Sequence, residues 1–120
     1  MSKAKAKGAG EEEPLMQGML QKLGGGEGGR QNWKQRFFVL TDKVIRYYAT
    51  EQDYVKAADK PKGEVALDCY YTAPTENDKQ PEFCIYAYPK NLVCRASTKD
   101  EMEKWIAELN KPIANMDTIL

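Results

Sequence analysis

Three basic side chains in two short runs of this 120-residue chain have the chemistry to hold a multiply phosphorylated ligand. Lys22 ends the run Gly18-Met19-Leu20-Gln21-Lys22, and Lys34 and Arg36 stand near the start of Trp33-Lys34-Gln35-Arg36-Phe37-Phe38-Val39-Leu40. Both runs read as strands, and residues two apart in a strand emerge on one face. Lys34 and Arg36 therefore share a face, where Lys22 from a neighbouring strand can join them. A guanidinium presents a planar fork of donors to phosphate oxygens, while ammonium groups are compact charges that rotate to reach adjacent phosphates.

The elements that must position these groups are strands and turns. Strands are expected over Met16 to Leu23, Trp33 to Thr41, Val44 to Thr50, Glu64 to Asp68, Cys69 to Ala73, Phe83 to Tyr88 and Leu92 to Ala96, with turns at Thr41-Asp42-Lys43, Pro61-Lys62-Gly63 and Pro89-Lys90-Asn91. Val65, Leu67, Cys69 and Tyr71 keep period two, as in a sheet with one buried face. Phe37 to Leu40 are consecutive apolar residues, and pattern alone does not say which of them face the core. Little signals a helix before the end of the chain. There Thr98 and Glu101 fit a capping box, and Met102, Trp105, Ile106 and Leu109 recur at i, i+3, i+4 and i+7, with Pro112 expected to prevent continuation. Seven strands and one closing helix predict a mainly β fold, a strongly bent antiparallel barrel or sandwich capped by a C-terminal α-helix.

The length supports one domain. It is placed at residues 16–111, between a disordered polar tail over 1–15 and a C-terminal tail over 112–120. Formal net charge is zero, yet Gly18 to Ala66 carries nine Lys or Arg against six Asp or Glu, and Leu67 to Asn110 carries five against eight. A domain polarised in this way can turn a positive surface to phosphates or an anionic membrane. Lys3, Lys5 and Lys7 in the tail are offset by Glu11, Glu12 and Glu13. Cys69, Cys84 and Cys94 have no metal-ligand spacing and histidine is absent, so a zinc site is not expected and the cysteines read as buried core residues of a reducing compartment. No apolar run approaches the ~20 residues of a membrane span, and no signal sequence follows the first lysines. Ser2 in place of glycine excludes myristoylation. Cytoplasmic residence is the expectation, with no cofactor.

The segments Gly18 to Lys22, Trp33 to Leu40 followed by Thr41-Asp42-Lys43-Val44-Ile45-Arg46-Tyr47-Tyr48, Lys60-Pro61-Lys62-Gly63-Glu64-Val65-Ala66-Leu67, and a terminal helix carrying Trp105 together resemble a pleckstrin homology (PH) domain from about Gly18 to Asn110. Gln21-Lys22-Leu23-Gly24-Gly25-Gly26 before Trp33 is most similar to cytohesin-type and related adaptor domains that select 3-phosphorylated inositol lipids. The resemblance implies headgroup contacts from Lys22, Lys34, Arg36 and Tyr47 and a further one from Lys62, and Arg30 and Arg46, from the neighbouring loop and strand, are expected as supplements. It implies a phosphoinositide-binding module, recruited reversibly to the inner leaflet of the plasma membrane, with phosphatidylinositol 3,4,5-trisphosphate or 3,4-bisphosphate as ligand. Two departures from the family pattern stand out. The loop from Leu23 to Asn32 holds Glu27 and one basic residue, Arg30, and the hairpin at Pro89-Lys90-Asn91 is short for extra ring contacts. The alternative is a protein-interaction module of the same fold with weak or no lipid binding.

Other motifs carry less. Gly24 to Gly29 lacks the Gly-Lys-Ser/Thr of a nucleotide loop and leads into a strand. The paired tyrosines could stack bases, but neutral charge and the acidic second half speak against nucleic acid. Thr118, Ile119 and Leu120 fit the ligand of a PDZ groove, a tripeptide common by chance. With no histidine base and no Ser or Cys in a nucleophile setting, catalysis is not expected.

Overall fold

The computed structural model describes residues 14–25, 31–88 and 90–119, with side chains placed except at Gly25, Gln31 and 112–119. Seven strands form one antiparallel sheet: β1 (Met16–Gly25), β2 (Gln31–Leu40), β3 (Val44–Tyr48), β4 (Gly63–Ala66), β5 (Tyr70–Pro74), β6 (Glu82–Ala87) and β7 (Leu92–Arg95). Their spatial order is β4-β3-β2-β1-β7-β6-β5. Consecutive strands pair as hairpins except at β4 to β5, where the chain crosses from one edge to the other. The sheet then curls so that its two halves share one core. Leu20, Phe38, Leu40, Ile45 and Val65 from the first half meet Phe83, Ile85, Leu92 and Cys94 from the second.

Helix α2 (Lys99–Ile119) closes this core with the predicted stripe: Met102, Trp105 and Leu109 are buried, and Trp105 lies edge-on to Phe38. Its N-terminus is capped as expected, the Thr98 hydroxyl accepting from the Glu101 N–H at 3.1 Å. The expected stop at Pro112 is corrected, since α2 runs through that residue. Proline's fixed φ is itself helical, and the lost N–H bond and the crowding of a proline ring against the carbonyl four residues earlier can kink a helix without ending it. Thr118 and Ile119 accordingly stand in a helix, not in the extended backbone that a PDZ groove reads, and Leu120 lies outside the described residues.

The four consecutive apolar residues of β2 are divided between two sides. Phe38 and Leu40 face the main core, while Phe37 and Val39 pack with Tyr48 and Tyr54 in a second cluster on the outer face. That cluster explains a helix the sequence reading missed, α1 (Glu51–Lys56), which lays Tyr54 over Phe37 and Tyr48. Its sequence signal is Thr50, whose hydroxyl accepts from the Asp53 N–H at 3.1 Å. A second correction concerns Cys69, which is exposed while Cys84 and Cys94 are buried. The chain bends between β4 and β5 and the alternation restarts in the opposite phase. Tyr70 and Thr72 turn inward, leaving Cys69 and Tyr71 in solvent.

Candidate functional site

Strand register decides which basic residues can meet. In the β1–β2 ladder Lys22 lies opposite Lys34, and Leu20 lies opposite Arg36. Leu20 and Phe38 point into the core, so their alternation partners Lys22, Arg36 and Lys34 continue the inner face outward, past the end of the apolar filling. Tyr47 arrives from the end of β3, and the Lys62 N–H donates to the Tyr47 carbonyl at 2.8 Å, which sets Lys62 beside it. The result is a cleft of about 220 Å³ lined by Lys22, Gly24, Lys34, Arg36, Tyr47 and Lys62. Five residues expected from sequence are thus brought together.

Packing holds them there. The Lys22 ammonium stands 5.2 Å from the centre of the Tyr47 ring, and the Arg36 guanidinium donates to the Gln35 carbonyl at 2.8 Å, which leaves most of its fork free. Tyr47 is itself a core residue, in contact with Phe38 at 5.3 Å between ring centres. Its ring and hydroxyl lie against the backbone of Gly63, where a Cβ would fall 2.5 Å from Cζ. The glycine after Lys62 is therefore required by close approach of the tyrosine.

Among the described residues no carboxylate is paired with the cleft cations: the ion pairs are Arg46 with Glu64, Arg95 with Glu82, and Lys111 with Glu108. Burial lowers the pKa of the Lys22 ammonium, and the neighbouring charges of Lys90 and Arg36 lower it further, against an opposing effect of Cys94. Burial raises the Tyr47 phenol, partly offset by Arg36, so its hydroxyl stays a neutral donor. Such a cleft can exchange water for the oxygens of adjacent phosphates.

Two expected supplements do not join it. Arg46 neighbours Tyr47 in β3 and so points to the opposite face, where it pairs with Glu64 at 2.8 Å. Arg30 lies outside the described residues. One cation was missed: Lys90, in the turn between β6 and β7, close enough to Lys22 to depress its pKa. The signal was present, since Lys90 keeps period two with the inward Leu92 and Cys94, and Cys94 pairs with Lys22.

A second concavity of about 410 Å³ lies between the β5–β6 connection and the first turns of α2. Pro74, Met102, Ile106 and Ala107 give it an apolar floor, and Asp78, Glu82 and Glu103 an acidic rim with Lys99. It sits at the start of β6, and the basic cleft at the other end.

The family model described as "PH domain" matches residues 14–114. Mouse switch-associated protein 70 is 33% identical over 102 residues, covering 82% of this chain and 16% of that protein. Mouse cytohesin-4 is 34% identical over 82 residues, covering 68% of this chain and 18% of that protein. The chain thus spans less than a fifth of the curated relatives it matches. Among solved structures, the C-terminal PH domain of pleckstrin in complex with D-myo-Ins(1,2,3,5,6)P5 has a TM-score of 0.68 at 25% identity, covering 84% of this chain and 96% of that one. The PH domain of human TBC1 domain family member 2 protein reaches 0.72 at 21% identity, covering 96% and 91%.

Proposed function

The chain belongs to the PH domain family, whose fold is a binding module for phosphoinositides or proteins rather than an enzyme, and on that premise we propose that its basic cleft holds a 3-phosphorylated phosphoinositide headgroup and so docks the domain on a membrane. The observation that carries this reading is the convergence of Lys22, Lys34, Arg36 and Lys62 with Tyr47 in one cleft, with no carboxylate paired to any of these cations among the described residues. Arg36 grips one phosphate through its fork, Lys22 and Lys34 take its neighbours, and Tyr47 and Lys62 flank the ring. A pleckstrin PH domain similar to this one was solved with a polyphosphorylated inositol, which supports the ligand class. Phosphatidylinositol 3,4,5-trisphosphate and 3,4-bisphosphate are the proposed ligands. Reversible recruitment from the cytoplasm to the inner leaflet of the plasma membrane, in a signalling or adaptor role, is the proposed consequence. Among the described residues no helix is long and apolar enough to cross a membrane. Nonspecific attraction adds about 1 kcal/mol per Lys or Arg near an anionic surface and fades with salt.

Liposome sedimentation across a phosphoinositide panel tests the reading. Pelleting is expected with 3-phosphorylated lipids, and Arg36→Ala is expected to weaken it ~10- to 100-fold, the equivalent of about 1.5–3 kcal/mol for charged hydrogen bonds, at an unchanged thermal midpoint. Equal pelleting with phosphatidylserine alone, or none with any lipid, would favour the second reading, a protein-interaction module. The apolar, acid-rimmed groove beside α2 is the observation in favour of that alternative.

A further inference from the structure

Tyr88 is 86% exposed, more than any other large hydrophobic side chain among the described residues. Its place is defined by the strand before it and the turn after it. Phe83 and Ile85 of β6 are in the core, so Tyr86 faces outward, and Tyr88 follows the last residue of β6, Ala87, at the end of the barrel. The Tyr86 ring stacks on that of Tyr71 with centres 4.6 Å apart, and Tyr71 is 57% exposed. A stacked aromatic pair therefore lies on the outer wall, and the exposed Tyr88 follows it in the chain at the turn. The turn is tied at its base, where the Asn91 side-chain oxygen accepts from the Ala87 N–H at 3.2 Å. Lys90 stands two residues before Leu92 of β7, whose Cys94 pairs with Lys22, and its charge acts on the Lys22 ammonium, so this turn brings a charge and an exposed ring to the end of the barrel where the cleft opens.

We propose that Tyr88 is a bilayer-contact residue, its ring entering the headgroup layer of an anionic membrane while the adjacent cations engage phosphates. The proposal rests on the membrane reading above and adds the edge of the molecule that meets the lipid. Charge complementarity selects the occupant: Lys22, Lys34, Arg36, Lys62 and Lys90 gather at the same end as the ring, and a surface rich in phosphates is what such a field attracts. Tyrosine suits that layer because its ring is apolar and its hydroxyl keeps a hydrogen bond at the wet boundary.

The test uses the full chain with three probes: phosphatidylcholine vesicles containing phosphatidylserine and phosphatidylinositol 3,4,5-trisphosphate, vesicles containing phosphatidylserine as the only anionic lipid, and soluble inositol 1,3,4,5-tetrakisphosphate. Removing about 40 Å² of ring from the lipid at ~25 cal/mol per Å² amounts to roughly fivefold. Tyr88→Ser should bind the phosphoinositide vesicles roughly fivefold more weakly and the soluble headgroup as tightly as the unaltered chain. Tyr88→Trp should restore vesicle binding, with an emission blue shift on vesicles that the soluble headgroup does not produce. Tyr71→Ser, further from the rim, should lose less. Equal vesicle binding by Tyr88→Ser overturns the proposal, as does a parallel loss of soluble headgroup affinity, which would make Tyr88 part of the cleft. Failure of the unaltered chain to bind the soluble headgroup would instead refute the phosphoinositide reading. The shift of Tyr88→Trp on phosphatidylserine vesicles would then decide the contact by its presence or absence, absence leaving the ring to a protein partner.

Discussion

Substituting Gly63 by alanine tests the packing beneath the site. The new Cβ would fall 2.5 Å from Tyr47 Cζ and 2.9 Å from Cε2, and closer still to the hydroxyl, so the ring must move. It has little room, because Tyr47 is 8% exposed and packed on Phe38. Overpacking of this kind costs about 1–3 kcal/mol. For a domain of ~100 residues that is a fall in thermal midpoint of roughly 4 to 20 °C. Displacement of the ring also removes the surface on which Lys22 rests, and soluble headgroup affinity should drop about tenfold, one charge-assisted hydrogen bond. The decisive measurement is a double-mutant cycle. In a Tyr47→Ala background the obstacle is gone and Gly63 has no left-handed φ to forbid a side chain, so Gly63→Ala should be neutral or stabilising by about 0.4–1 kcal/mol. The same penalty with and without the ring would refute the reasoning.

Arg46→Ala should leave headgroup affinity within about twofold and change stability by less than ~1 kcal/mol, since its partner Glu64 is half exposed and the pair lies on the opposite face from the cleft. A loss of affinity comparable to that of Arg36→Ala would return Arg46 to the site. Tyr70 donates to the Leu109 carbonyl, and burial pushes its phenol from 10.0 up to about 12. The unfolded chain ionises first, so this contribution is complete below pH 10.0 and is lost as pH rises toward about 12. Tyr70→Phe should cost about 1 kcal/mol at neutral pH, with the gap to the unaltered chain narrowing through that window in denaturant titrations. A constant gap would show that the phenol does not titrate in this way.

The sequence was legible where one periodicity met one environment. Met102, Trp105 and Leu109 at helical spacing turn to the core as the stripe predicts, and Lys34 and Arg36 at strand spacing share one face with Lys22, because a period of two or of three to four residues fixes direction once the ladder is antiparallel. Legibility failed where a second partner was needed. Phe37 and Val39 could not be sorted from Phe38 and Leu40 without α1, and α1 has too few turns to show a stripe. The break at Asp68 and Cys69 is invisible to a pattern that assumes one continuous strand, which is why Cys69 and Tyr71 were assigned to the buried face. Arg46 was grouped with the site by its neighbourhood in the chain, although adjacent residues of a strand face opposite ways. Lys90 escaped because its hairpin was judged by length, not by the phase of the strand that follows.

The two halves of the sheet meet through β1, and its ladder with β7 is short, Gln21 with Arg95 and Lys22 with Cys94. Lys22 also pairs with Lys34 on the other side, so one residue belongs to both half-sheets and to the cleft. Its backbone is a rivet, and its side chain is the hook that the rivet holds. A ligand seated on that hook would sit where the leaf carrying Lys34 and Arg36 joins the leaf that begins with β7. Occupancy should therefore clamp the barrel at its narrowest weld, and backbone amide exchange at Gln21, Lys22, Cys94 and Arg95 should slow more than exchange in the middle of β3 or β6.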